Sequence, residues 1–425
     1  MRPDVRPEVA HQKPGEQRLE GGRPEGDSRR GLLRAGDGRS AHGQRVTPLE
    51  LFFDLVFVFA VTQLSHLLLE HLTPRGVAQT LLLLVAIWWS WIYTAWLTNW
   101  FDPDRRPVRA LLLGLMLVSL LMSAAIPQAF GANGLLFAGA YVVMQVGRSL
   151  FAVAALESDP GLRRTFQRIL AWAAGAAVLW LAGGVATGVA REALWLGAVA
   201  VDLAAPVAGY PVPGLGRSVT TDWSISGGHL AERCQLFLII ALGESVLVTG
   251  STLAGLTIDP PTAAAFVVAF LGSVAFWWLY FDRSAESAAG VIERSADPGR
   301  LGRSAYTYLH LPMVAGIIVA AVGDELSIAH PGGPMTAPTA ATLLGGPALF
   351  LLGHLLFKRA VFGTLSPSRL AALAALAALV PLSPAVTPLL LAAAATLVLI
   401  LAAVADARWA SSWAPDTSAA AGLRG

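Results

Sequence analysis

The chain is 425 residues long, 55% apolar and only 14% charged, with a mean hydropathy of +0.59, where a soluble domain carries roughly a quarter charged residues. That balance excludes an ordinary water-soluble protein and predicts an all-α polytopic membrane protein. The net charge of +2 is too small and too dispersed to argue for nucleic acid. The single cysteine, Cys234, excludes an internal disulfide and a thiolate-rich metal site.

Residues 1–45 are rich in Arg, Glu, Gly and Pro and lack an apolar stretch. They predict a disordered cytoplasmic tail and not a cleaved signal peptide, and residues 410–425 read the same way. Between them, apolar runs near the ~20 residues needed to cross a bilayer predict twelve spans. These fall at about 46–70, 76–100, 108–130, 134–156, 166–188, 191–210, 228–252, 260–281, 303–327, 340–360, 368–384 and 387–407. The last two are short and divided by "LVPLSPAVTPLLL", which leaves a count of ten or eleven open. With the N terminus in the cytoplasm, Arg105, Arg106, Arg109, Arg163, Arg164, Arg168, Arg217, Arg283, Arg294, Arg300, Arg303, Lys358, Arg359 and Arg369 fall in cytoplasmic loops. Only Arg75 and Arg191 fall outside. That is the asymmetry the positive-inside rule predicts for twelve spans with both termini in the cytoplasm.

The halves also resemble each other in order: Glu50 and Glu232, "NWFD" and "LYFD", "GRSLF" and "GHLLF", "AVD" and "VAD", at offsets of roughly 180 to 206 residues. This pattern predicts a six-helix repeat over 46–210, a cytoplasmic linker over 211–227 and a second repeat over 228–409. An even number of spans per unit makes the two repeats parallel.

In the first span Glu50 and Asp54 are one helical turn apart and share a face, with Thr47 placed to cap the start. The second span packs Trp88, Trp89, Trp91 and Trp96 too deep for an interfacial belt. They pack against other helices, or line a cavity for an apolar or cationic ligand. Arg148 and His354 occupy equivalent repeat positions; Arg148 is a counter-ion for Asp54 or Glu232, or snorkels to the interface. In the seventh span His229, Arg233, Glu244 and Ser251 fall on one stripe, and Glu232 points to a neighbouring face. Arg233 and Glu244 are three turns apart, so each needs a partner on another helix, and Glu244 lies near mid-membrane, where an unpaired charge is costly. In the ninth span Tyr306, His310 and Asp324 share a broad face. His310 relays protons there or hydrogen-bonds a carbonyl. His229 and Glu232 have a ligand-like spacing that His66 and His310 could complete as a metal site, but no His-Glu-x-x-His or cysteine cluster supports one.

The stretches "TPLELFFDLVFVFAVTQLSH", "HLAERCQLFLIIALGESVL" and "YLHLPMVAGIIVAAVGDE" together resemble the bacterial low-temperature-requirement A (LtrA) family, over essentially residues 46 to 407. The resemblance implies an inner-membrane protein associated with growth in the cold, and no established substrate. Its motif positions here are Glu50, Asp54, His66, His229, Glu232, Arg233, Glu244 and His310. The first helix is also similar to the FSD motif of a family of potassium channels, at Phe52, Asp54, Val56, Phe57, Ala60 and Thr62. Phe53 replaces the motif serine, and Leu236 stands opposite Asp54 in the second half. In that family the motif acids mainly tie helices together.

These readings predict a transporter or ion channel. Glu244, His310, His229 and Asp324 would lie on the solute or proton path. Glu50, Asp54, Glu232, Arg233, Arg148 and His66 would form a structural charge network, with Asp54 and Glu50 tied to Arg148 or Arg233. The partners are the lipid bilayer and a small solute or ion, with oligomerisation undecided and no cofactor. A membrane-embedded lipid-acting enzyme and a purely structural membrane protein stand as alternatives.

Overall fold

The computed structural model describes residues 31–34 and 45–411 apart from 224 and 283, with side chains as far as 407. Twelve long helices follow one another: α1 (Pro48–Glu70), α2 (Pro74–Trp100), α3 (Arg106–Gln128), α4 (Gly134–Ala155), α5 (Pro160–Val185), α6 (Gly188–Ala208), α7 (Gly227–Ala254), α8 (Pro260–Phe281), α9 (Pro298–Ala329), α10 (Ala337–Phe362), α11 (Pro367–Ala385) and α12 (Pro388–Ser411). A short helix, Ser284–Glu293, follows α8. Among the described residues, eleven helices are long and apolar enough to cross a membrane. The exception is α6, because it carries Arg191, Glu192 and Asp202. The doubtful pair at the C terminus is two helices, α11 closing with the proline-bearing 3-10 turn Val380–Ala385 before α12 starts at Pro388.

Local chemistry sets the helix starts. Thr47, Thr73, Asp159, Ser226, Asp259 and Thr336 each accept a backbone N–H from the first turn, usually just ahead of a proline. Thr47 and Glu50 form a reciprocal capping box. At the end of α6, Gly209 takes φ 75°, and a Cβ there would sit 2.3 Å from the Ser218 carbonyl oxygen, so only glycine fits.

The most buried helix is α2, while α1 packs one face on α2, α3, α7 and α9. The most extensive contact is between α9 and α10. There Gly316 and Gly346 let the backbones approach so closely that a Cβ on Gly316 would lie 2.5 Å from the Phe350 nitrogen. Large apolar side chains such as Phe52, Leu55, Leu117 and Leu247 stay exposed on the outside, as a lipid-facing surface requires. At the end of the bundle away from the α1 N terminus, the buried guanidinium of Arg191 donates to the carbonyls of Ala129, Gly131, Gly183, Gly184 and Ala186. It thereby ties the α3–α4 turn to the α5–α6 turn.

Two helices are interrupted by π-helical turns. One, Val143–Gly147, lies in α4 just before Arg148; the other, Gly302–Tyr308, lies in α9 just before His310. Pro312 supplies a cause for the second, since it has no N–H to donate one turn back. The carbonyls loosened there find other donors: Trp88 Nε1 bonds Thr307 O at 2.7 Å, His310 Nδ1 bonds Ala305 O at 3.0 Å, and the Cys234 thiol lies 3.8 Å from Tyr306 O.

Candidate functional site

The acids of α1 meet Arg233 of α7. Arg233 forks onto Asp54, Nε to Oδ2 at 3.0 Å and Nη2 to Oδ1 at 2.5 Å, while its Nη1 donates to Glu50 Oε1 at 3.1 Å and Thr98 Oγ1 at 3.0 Å. Trp91 Nε1 adds a bond to Asp54 Oδ1 at 2.6 Å. His229 Nε2 is 3.0 Å from Glu50 Oε1, and its Nδ1 is 3.4 Å from the Asn99 amide nitrogen. The same Nε2 is 3.3 Å from Arg34 Nη2, so the ring lies between the acid and this arginine. Glu50 Oε2 also accepts from the Thr47 backbone and hydroxyl.

The remaining partner comes from a segment expected to be a disordered tail. Residues 31–34 lie along the end of α2, with Arg34 N bonded to Trp100 O and Asp102 N bonded to Leu32 O, each at 2.9 Å. This docking aims the Arg34 guanidinium at Glu50, 3.0 Å away, and at Thr98 O, 2.8 Å away. Two arginines thus face two carboxylates around His229. Burying ions is costly unless every lone pair is satisfied, and here the acids are saturated by bidentate and backbone donors.

Of the expected network, Glu50, Asp54 and Arg233 are brought together, and His229 joins them from the group expected on the solute path. Glu232 is adjacent, accepting the Val46 N–H at 3.2 Å. Arg148 is elsewhere: it donates to Ser90 O at 3.2 Å, Thr94 Oγ1 at 3.1 Å and the Gln145 side chain, and pairs with neither Asp54 nor Glu232. His66 lies towards the other end of α1, exposed, close enough to Glu244 and Glu325 to interact electrostatically.

Glu244 faces α1 from α7. It is 2% exposed and hydrogen-bonds the Thr62 side chain, and no cationic nitrogen stands within ion-pair distance among the described residues. Asp324 lines a cleft of about 290 Å³ with Phe276, Leu343, Pro347 and Thr396. His310 has both ring nitrogens occupied, Nδ1 by the Ala305 carbonyl and Nε2 by the Tyr280 hydroxyl at 2.8 Å, and it stacks on Tyr306. Among the described residues no three His, Cys, Asp or Glu side chains stand close enough to hold a metal ion.

The family model described as bacterial low temperature requirement A protein (LtrA) matches residues 45–404. The chain belongs to the LtrA family. An uncharacterized protein of Rhizobium meliloti (strain 1021) is 41% identical over 358 residues, covering 84% of this chain and 87% of that protein. No solved structure matches. The LtrA match spans all of α1 to α11 and nearly all the apolar part of α12, so the Arg233 cluster and Glu244 both lie within it; Arg34 lies outside. Sequence reasoning missed Arg34, whose position in a polar, glycine-rich segment gave no sign of docking.

Proposed function

We propose that this LtrA protein moves a small solute or ion across the membrane, with Glu244 at the exchange site. The observation that supports this is the contrast between two sets of buried acids. Glu50 and Asp54 are locked by fixed cations and serve to tie α1 to α7. Glu244 sits on the same pair of helices with one hydroxyl partner and, among the described residues, no arginine or lysine within ion-pair distance, only His66 lying near enough to interact electrostatically. An ionisable group kept so in an apolar bundle is characteristic of proton and ion pathways. His66 and Glu325 stand on the side of Glu244 away from the Arg233 cluster and would be its neighbours along the path. His310, with Nδ1 on the Ala305 carbonyl and Nε2 on the Tyr280 hydroxyl, braces the π-helical turn of α9.

The duplicated layout belongs to the same proposal. It is supported by the pairing of Asp202 of α6 with Tyr141 of α4 and Trp180 of α5, and of Asp406 of α12 with Lys358 of α10 and Arg369 of α11. So does the orientation, with the Arg-rich loops and the α1 N terminus in the cytoplasm of the bacterial inner membrane. The cold-growth role named in the family's description would follow from loss of this flux.

The test is flux into proteoliposomes holding the purified protein under potassium, sodium and proton gradients. Wild-type flux should fall at least about ten-fold in Glu244→Gln, as expected for loss of an essential proton or ion carrier. Flux unchanged in correctly folded Glu244→Gln would remove Glu244 from the path. No flux for any of the three ions would reject ion movement and leave organic solutes as the class to test.

A further inference from the structure

Beside the Arg233 cluster, at the same end of the bundle, lies a second and separate feature. A cleft walled by Trp96, Trp100, Phe166 and Trp223 carries Arg148 and Arg303. Arg148 is 2% exposed, yet every acceptor it has in the protein is neutral: a backbone carbonyl, a threonine hydroxyl and a glutamine amide. No carboxylate lies within ion-pair distance of it among the described residues. Arg303 likewise donates to a carbonyl, that of Pro206, at 3.0 Å. Asp202, which accepts from Tyr141 at 2.7 Å and Trp180 at 3.0 Å, interacts with Arg148 only at longer range. Among the described residues the two guanidiniums of the cleft therefore have no carboxylate in direct contact.

Three further observations converge on the same place. Trp223 is 6% exposed, and its Nε1–H has no acceptor among the described residues. A buried donor left unsatisfied is costly, and this one lies in the cleft wall. Tyr210, also in the wall, is the one non-glycine residue with positive φ among the described residues, at 51°. A bulky side chain in that region is strained; the backbone there carries the Tyr210 hydroxyl onto that of Tyr93. Both π-helical turns also border the cleft, one leading into Arg148 and the other containing Arg303 and Thr307. Such turns are rare and concentrate at functional sites.

We propose that this cleft binds a small organic anion, with its carboxylate on Arg148 and Trp223 Nε1 and its apolar body between Trp96, Trp100 and Phe166. A planar guanidinium matches a carboxylate, and four aromatic walls suit an aryl or acyl body better than an inorganic ion. The anion is either a free aromatic carboxylate or a fatty acid from the bilayer. The site concerns equilibrium binding and stands independently of flux through Glu244.

The experiment is calorimetric titration of the full chain in nanodiscs against benzoate, benzamide and laurate, with empty nanodiscs as the blank. Saturable binding of benzoate assigns a free solute, and binding of laurate alone assigns a bilayer acyl chain; either supports the site. Benzamide, isosteric with benzoate but uncharged, should bind at least about ten-fold more weakly than benzoate, as should benzoate or laurate to Arg148→Gln. Trp223→Phe keeps the ring but removes the donor, and should weaken binding about three-fold or more. Binding of neither carboxylate overturns the proposal, as does benzamide binding as tightly as benzoate, or unchanged affinity in folded Arg148→Gln. Should Arg148→Gln fail to fold, unchanged affinity in Trp223→Phe overturns it.

Discussion

Arg233 shows how much a single side chain holds. It joins two carboxylates of α1 across 179 and 183 positions of sequence, with all three side chains buried. Arg233→Gln leaves Glu50 and Asp54 facing one another with a cation removed, and should cost about 3–5 kcal/mol, read as a lower unfolding midpoint in detergent. Adding Asp54→Asn to that variant should cost less than the sum of the two changes, by about 1–3 kcal/mol; simple additivity would show that the pair is not coupled. The helical turn between Glu50 and Asp54 could be read directly from sequence, as could the Thr47 cap. Their partner could not be narrowed beyond Arg148 or Arg233. Helical periodicity gives the face on which a residue lies, whereas the choice of partner depends on how each helix is rotated against its neighbours.

At the scale of elements, hydropathy and capping chemistry placed the twelve helices closely. The expected 260–281 is the helix Pro260–Phe281, and the expected 228–252 is Gly227–Ala254. The largest difference at a helix start is α5, which begins at Pro160, six residues before expected, with Asp159 capping a turn that carries Arg163 and Arg164. Hydropathy discounts such polar first turns, although they continue the helix. The π-helical turns were also not legible, since Pro312 marks a break but not the side-chain donors that heal it. Helix approach is the property most open to test. A methyl group on Gly316 would meet the α10 backbone, so Gly316→Ala should force α9 and α10 apart at a cost of about 1–3 kcal/mol. Gly243→Ala in α7, with nothing within 4 Å of the new Cβ, should leave the unfolding midpoint unchanged or raise it slightly, for a gain of up to about 1 kcal/mol. Equal shifts for the two variants would contradict the close packing described for α9 and α10.

The whole molecule has an orientation that the charge distribution predicts and labelling can read. Cys234 is fully buried, so an added cysteine reports alone. In intact cells an impermeant maleimide should label Gly332→Cys in the α9–α10 loop and leave Arg106→Cys, at the start of α3, unlabelled until the membrane is opened. The reverse pattern would invert the topology. Sequence by itself determined the class of molecule and its helices, because length, hydropathy and capping are local properties that a bilayer reads directly. It also determined that the buried charges needed partners, because an apolar medium does not tolerate them alone. Only tertiary structure decided that Arg233 and the distant Arg34 neutralise Glu50 and Asp54, that Glu244 has no such cation, and that Arg148 faces an aromatic cleft. Those outcomes depend on helix rotation and on contacts between residues far apart in the chain, and no local pattern encodes either.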